Sequence, residues 1–277
     1  MEPSTLYLVA TPIGNLGDLS SRAIEVLKQV DCIACEDTRH SRVLLDAHGV
    51  KTPTISLPAF AEGQRADALV QRLKDGESLA LVSDAGSPAI SDPGERLVAE
   101  CVAAGLRVVP VPGPSAVVAA LSASGLPTSR FHFLGFLPRT TSDARAMLEE
   151  VTGLSATLVL YESPRRVVET LSLLRSVLGD RPACVARELT KVHEEFLRGP
   201  LSTLEQTLSA REVLGEVVVL VNGRSGVARW TEAEVRAALE AGLSRGERLK
   251  SLANELAKSG GWSSQEVYKL GVTIKAR

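Results

Sequence analysis

Ser78-Leu79-Ala80-Leu81-Val82-Ser83-Asp84-Ala85-Gly86-Ser87-Pro88-Ala89-Ile90-Ser91-Asp92-Pro93-Gly94 opens as an apolar run and ends as a loop. The first residues read as a buried strand. A carboxylate, small residues and a glycine follow just past that strand's C-terminal end, where ligands bind in open α/β sheets. Gly86 permits positive φ and close approach of the backbone to a ligand. Asp84 can accept hydrogen bonds from hydroxyls or an amino group. The same residues also suit a strand-to-helix turn with a capping aspartate, so this stretch alone leaves both readings open.

Two further strand ends repeat the pattern. Arg107-Val108-Val109-Pro110-Val111 runs into Pro112-Gly113-Pro114-Ser115, then into Ala116-Val117-Val118-Ala119-Ala120-Leu121. Ser115 suits a helix N-cap, and the first turn of small residues would let a flat ligand lie close. A tightly packed core helix would read the same way. Leu6-Tyr7-Leu8-Val9-Ala10 runs into Thr11-Pro12-Ile13-Gly14-Asn15-Leu16-Gly17-Asp18. No Gly-Lys-Ser/Thr follows, and the glycine spacing does not match the dinucleotide fingerprint. A dedicated NTP or NAD site is therefore not expected.

Outward from these loops, apolar runs at 6–11, 31–36, 54–57, 78–83, 107–111, 131–136, 156–161, 182–187 and 216–222 alternate with helical patterns. Alternation of this kind means α/β. Helices are expected over 20–30, 66–74, 94–104 and 164–178, the last with Ser163 as N-cap, Pro164 at the first position and Gly179 past its end. The rhythm changes near Gly113. Residues 1–113 therefore read as one α/β domain and 114–226 as a second. Residues 229–277 carry no strand pattern and read as a small helix-turn-helix-like bundle. Capping-box pairs Thr231/Glu234, Ser244/Glu247 and Ser263/Glu266 punctuate it.

Composition narrows the function. Of 277 residues, 44% are hydrophobic, enough for sizeable cores, and only 4% are aromatic, which argues against a base-stacking nucleic-acid surface. The net charge of −2 is uneven: residues 229–277 carry +3 and the rest −5, a basic tail on an acidic body. That tail suits a polyanionic partner or a solvated helical surface. Cys32 and Cys35 fall in one apolar run, three apart and so on opposite faces of a strand. They and Cys101 and Cys184 read as buried, reduced thiols, and no histidine spacing suggests a metal site. No signal or membrane-spanning segment is visible, so a cytoplasmic protein is expected.

Taken in order, the motifs resemble one family along essentially the whole chain. Leu8–Leu19, Glu36-Asp37-Thr38-Arg39, Ser83–Gly94, Pro110–Gly113, Gly125-Leu126-Pro127, Gly135–Pro138, Tyr161-Glu162-Ser163-Pro164 and Ala186–Lys191 closely resemble the ribosomal RNA small subunit methyltransferase I family of the tetrapyrrole methylase superfamily. One stretch departs. Where relatives carry a polar, His/Asn-containing segment after the third strand, this chain has Leu57-Pro58-Ala59-Phe60-Ala61-Glu62.

The resemblance implies two α/β domains with S-adenosylmethionine folded in the cleft between them, and no metal. It implies 2′-O-methylation of a cytidine in the decoding region of 16S rRNA, within the 30S subunit, by a homodimer. The residues matching the family's cofactor site are Pro12, Gly14, Asp84, Ala85, Gly86, Ser115, Ala116, Tyr161, Leu189 and Gly215. Glu36, Asp37 and Arg39 fall on the acceptor side, where a carboxylate could take a proton and an arginine could pair with phosphate. Asp37 as a helix cap and Arg39 as a surface ion pair is the alternative. Two rival functions remain open: C-methylation of a tetrapyrrole, and cofactor-sensing RNA binding without turnover.

Overall fold

The computed structural model describes residues 1–58, 62–224 and 230–275. Residues 59–61, inside the departing stretch, and 225–229, where the expected second domain gives way to the tail, lie outside the described residues.

Buried apolar runs build two five-stranded sheets. The first holds β1 (Thr5–Val9), β2 (Cys32–Cys35), β3 (Thr54–Ser56), β4 (Leu79–Val82) and β5 (Arg107–Val111), in the order β3-β2-β4-β1-β5 with every pair parallel. Helices α1 (Ser21–Gln29) and α2 (Thr38–Ala47) bury Val26, Leu27 and Leu45 against one face. Helices α3 (Glu62–Lys74) and α4 (Glu95–Ala103) bury Leu69, Leu73 and Leu97 against the other. Cover on both faces is why the strands are apolar throughout rather than alternating. Cys32 packs with the α3/α4 side and Cys35 with the α1/α2 side, and all four cysteines are free and buried.

Between them, α5 (Ala116–Ala123) follows β5. The second sheet holds β6 (Phe131–Phe136), β7 (Thr157–Glu162), β8 (Pro182–Arg187), β9 (Glu195–Pro200) and β10 (Val217–Val221). Its order is β6-β7-β10-β8-β9, with β6 and β7 parallel and the other pairs antiparallel. Helices α6 (Thr141–Val151), α7 (Val167–Leu178) and α8 (Leu201–Ser209) cover one face, and α5 lies on the other.

Strand β9 was not expected from the sequence. Its residues Glu-Phe-Leu-Arg-Gly-Pro mix charge, glycine and proline, a composition confined to sheet edges, and β9 is an edge strand. Helix α7 also starts later than Ser163 suggested, with Arg166 as its N-cap. The Ser163 N–H is held by the Glu162 carboxylate at 2.7 Å, and a turn intervenes in which Arg166 and Val167 donate to the Ser163 carbonyl. Gly179 ends the helix at φ +83°, as expected.

The tail forms α9 (Glu232–Ser244), α10 (Leu249–Gly260) and α11 (Ser264–Lys275) around Val235, Leu239, Leu252, Leu256 and Val267. Thr231/Glu234 and Ser263/Glu266 each exchange the two capping-box hydrogen bonds. Ser244/Glu247 do not. Helix α9 runs through Ser244, whose hydroxyl donates back to the Ala241 carbonyl.

Candidate active site

Because the first sheet is all parallel, the loops after β1, β2, β4 and β5 leave from one edge. The chain leaves β1 for α1 on one face and leaves β4 for α4 on the other, so these adjacent strands form a topological switch point. There the two loops are tied together. Thr11 and Gly86 exchange both backbone hydrogen bonds, at 2.8 and 3.1 Å, and the Thr11 hydroxyl donates to the Ser83 carbonyl at 3.1 Å. Gly86 takes φ +81°, which the bridge requires and which favours glycine. On the other side of β1, a Cβ on Gly113 would meet the Ala10 Cβ at 3.0 Å, so the Pro112–Pro114 turn lies directly against the first loop.

The second sheet supplies the opposite wall. Strands β6, β7 and β8 end at one edge, and β10 begins there. Glu162, 3% exposed, closes β7 by accepting from the Thr170 hydroxyl at 2.6 Å and the Ser163 N–H. After β8 the chain is contorted: Glu188 and Thr190 both take positive φ, at +52° and +66°. The Glu188 carboxylate accepts from Lys191 Nζ at 2.8 Å and from the Glu216 N–H at 3.1 Å. Gly215 is required beside it, because a Cβ there would overlap the Glu188 carboxylate.

One loop crosses between the walls. Ile13, 8% exposed, packs in a cluster with Val117, Leu121, Leu189 and Val218 of the second sheet's α5-covered face. A Cβ on Gly14 would come within 2.5 Å of Lys191 Cγ and 2.8 Å of the Leu189 carbonyl oxygen. The Thr11–Gly14 turn is thus seated on the Leu189–Lys191 turn that follows β8 of the second sheet.

The walls enclose a cavity of about 360 Å³, within the range of small-molecule cofactor sites. Seven residues expected from the sequence line it: Ala85, Gly86, Ser115, Ala116, Tyr161, Leu189 and Gly215. Ser115 is the N-cap of α5 but makes no side-chain capping bond, and its residue faces the cavity. Pro12 and Gly14 do not line it; the Ile13 between them does. Asp84 lines a neighbouring, more open cavity of about 430 Å³, together with Glu36, Asp37, Arg39 and Ser56. The Asp37 N–H points to Asp84 Oδ1 at 3.4 Å, so the two cavities adjoin at the Asp84–Ala85 step.

The acidic groups of this region differ sharply. Asp37 is the N-cap of α2: its carboxylate accepts from the Arg39 N–H at 2.8 Å and pairs with the Arg39 guanidinium at 3.0 Å. That hydrogen-bonded guanidinium holds the Asp37 pKa down at about 2. Glu36 goes the other way, raised by burial and by Asp84 and Asp37. Asp92, half-buried in the wall of the first cavity, is pushed up to about 6 by burial and by the charges of Glu36 and Asp84. Tyr161 is raised by burial and by Asp92. Among the described residues, no group of three or more His, Cys, Asp or Glu is placed to hold a metal ion.

Sequence reasoning passed over Asp92, Phe136, Glu162 and Glu216 as cavity residues. Asp92 and Glu162 stood inside quoted motifs, but nothing in their spacing showed which would be buried.

Residues 5–205 match the model of the tetrapyrrole (corrin/porphyrin) methylases. The ribosomal RNA small subunit methyltransferase I of Mesorhizobium japonicum is 44% identical over 277 residues, 99% of this chain and 93% of the relative. That of Xylella fastidiosa is 51% identical over 224 residues, 80% of this chain and 82% of the relative. Uroporphyrin-III C-methyltransferase from Thermus thermophilus, solved in complex with S-adenosyl homocysteine, shares the fold at TM-score 0.57 and 19% identity, over 79% of this chain and 97% of that one. With its two α/β sheets and their shared cleft, this chain belongs to the ribosomal RNA small subunit methyltransferase I family, within the tetrapyrrole methylases.

Proposed function

We propose that this chain transfers a methyl group from S-adenosylmethionine to the 2′-hydroxyl of a cytidine in the decoding region of 16S rRNA, within the 30S subunit. The observation that carries this reading is the cleft itself, where two glycine-bearing sheet edges meet beside a second, acidic cavity. When bound, the cofactor supplies an electrophilic methyl group for in-line transfer.

The residues present fit such a cofactor. Ala85, Gly86, Ser115 and Ala116 leave room along the first wall, and Tyr161, Leu189 and Gly215 along the second. Asp92 and Glu36, raised by burial and by neighbouring carboxylates, create a negative field that a sulfonium and an ammonium group would relieve. Pro12 and Gly14 act through the Thr11–Gly14 turn by seating it on the second wall. Asp84 stands at the step between the cavities and lines the acceptor-side one.

On the acceptor side, Glu36, Asp37 and Arg39 line the open cavity. Asp37 positions Arg39 through an ion pair, and the Arg39 side chain, 90% exposed, presents its remaining donors to a phosphate. Positioning of the acceptor and exclusion of water supply much of such a rate. Ile90 and Phe136, apolar and about half exposed at the cavity wall, suit the second task.

We place the domains at 1–113 and 114–226, with 229–277 as a separate RNA-directed bundle. The tail's own core supports this division. Val118 on α5 and Phe131 on edge strand β6 leave apolar surface exposed, which supports a homodimer. No helix among the described residues is long and apolar enough to cross a membrane, which accords with a cytoplasmic enzyme.

The test offers the protein radiolabelled S-adenosylmethionine with 30S subunits, free 16S RNA and a uroporphyrinogen in parallel. Label in cytidine ribose, strongest with 30S subunits, is expected. Label in the tetrapyrrole would establish C-methylation instead. Cofactor binding without turnover on any acceptor would establish a sensing role.

A further inference from the structure

We infer that Asp92 is the group that takes the proton from the acceptor hydroxyl. The inference rests on the methyltransfer reading above and names the base for it.

Four acidic side chains near the cleft are already engaged, and Glu36 and Asp84 line the neighbouring cavity rather than this one. Asp37 is tied to Arg39 and to the start of α2. Glu162 holds Thr170 and the Ser163 N–H. Glu188 and Glu216 both pair with Lys191. Asp92 lines the first cavity; its carboxylate is hydrogen-bonded to Ser83, and no ion pair reaches it among the described residues.

Its loop is built to hold it there. Ala89 and Ser91 take φ of +65° and +64°, and Gly94 takes +127°. A Cβ on Gly94 would meet Leu81 Cδ2 at 2.5 Å, so the loop is clamped onto β4. Ser91 Oγ lies 3.6 Å from where a Gly135 Cβ would stand on the second sheet, which puts the segment at the seam of the two domains. Three left-handed positions in six residues cost energy that a plain connection would not need. The groups facing Asp92 are Ser83 at the end of β4, Asp84 after it, Glu36 after β2 and Tyr161 on β7.

The chemistry balances. The acceptor oxygen forms its bond to the methyl carbon, and its O–H bond breaks. The proton passes to an Asp92 carboxylate oxygen. The electron pair of the sulfur–methyl bond stays on sulfur, turning the sulfonium into a neutral thioether. Burial among carboxylates makes Asp92 a stronger base than an exposed aspartate while leaving it mostly ionised at neutral pH.

The first readout needs no turnover. Carboxyl-carbon NMR of the free protein should show one carboxyl titrating near pH 6. The signal should vanish in Asp92→Asn and move to lower pH in Glu36→Gln. In single-turnover methylation of 30S subunits, Asp92→Asn should be slower by about 10²-fold or more. The wild-type acid limb should be lost, and S-adenosyl homocysteine affinity by calorimetry should fall far less than the rate, because Asp92 also contributes to the field around the cofactor's ammonium group. Asp92→Glu keeps a carboxylate and should restore part of the rate together with an acid limb. Absence of any carboxyl titrating near 6, or an Asp92→Asn enzyme with normal rate and acid limb, overturns the assignment. So does a parallel loss of S-adenosyl homocysteine binding, which would make Asp92 a cofactor contact. A wild-type protein inactive on RNA overturns the proposed function itself; an active wild type with an equally active Asp92→Asn overturns only the base.

Discussion

Thr11 and Gly86 pair as an antiparallel bridge although the strands that precede them, β1 and β4, run parallel. The two loops turn back toward each other and lock. This lock fixes Ala85 and Gly86 in the cavity wall and leaves Ile13 directed at the second sheet. Gly86→Val would force a β-branched residue into φ +81° with its Cβ 3.5 Å from Ile13 Cγ2. A stability loss of about 1–2 kcal/mol is expected from the left-handed backbone alone. Weaker S-adenosyl homocysteine binding should accompany it. Thermal denaturation and calorimetry of the variant check both, and unchanged values would show that the bridge does not shape the cavity.

Gly14 closely approaches the turn after β8, and any side chain there must displace Lys191 and the Leu189 carbonyl. Gly14→Ala should lower the melting temperature and weaken cofactor binding, with Leu189 carried out of the cavity wall. Lys191→Ala should rescue part of the loss by removing the side chain that is struck. Absence of rescue would mean that the carbonyl contact sets the cost.

Arg39→Ala should weaken binding to 30S subunits and reduce the salt slope by about one, as expected for one lost phosphate contact. Cofactor affinity should not change. Asp37→Asn should keep α2 intact, because asparagine caps about as well as aspartate. Equal salt slopes for wild type and Arg39→Ala would remove Arg39 from the RNA surface.

Asp92 carries a pH signature in stability as well. Its folded pKa of about 6 lies above the ordinary 3.8. Its contribution to stability is therefore complete below pH 3.8 and is lost as pH rises through 6. Asp92→Asn should stabilise the protein at pH 8 by about 1–2 kcal/mol, a figure reduced for solvent screening at a half-exposed group. Near pH 3 the variant should show no gain. Denaturant titrations at the two pH values check the sign.

Removal of 230–277 should leave a folded protein with full S-adenosyl homocysteine affinity and reduced methylation of 30S subunits. The bundle's apolar side chains pack on one another around Leu239 and Leu252. A soluble truncation without cofactor binding would show that the tail completes the cleft.

Much of this architecture was legible in the chain. Leu79–Val82 and Val217–Val221 are buried on both faces, and so their apolar runs declared them. Strand β9 escaped because an edge strand needs no such run. The Asp84–Gly86 loop stood out because glycine and carboxylate follow a strand directly. Asp92 did not, because its environment is made by Glu36, Asp84 and Tyr161, which come from three separate strand ends. Local capping was read correctly at Thr231 and Ser263. It failed at Ser163, where a buried carboxylate one residue earlier captures the backbone N–H instead, and at Ser244, which lies inside α9.

The most direct measurement is mass-spectrometric mapping of ribose methylation in 16S rRNA from cells with and without the gene for this protein. The account predicts one 2′-O-methylcytidine in the decoding region that disappears on deletion and returns with the wild-type gene but not with Asp92→Asn. An unchanged methylation map in the deletion strain would contradict it.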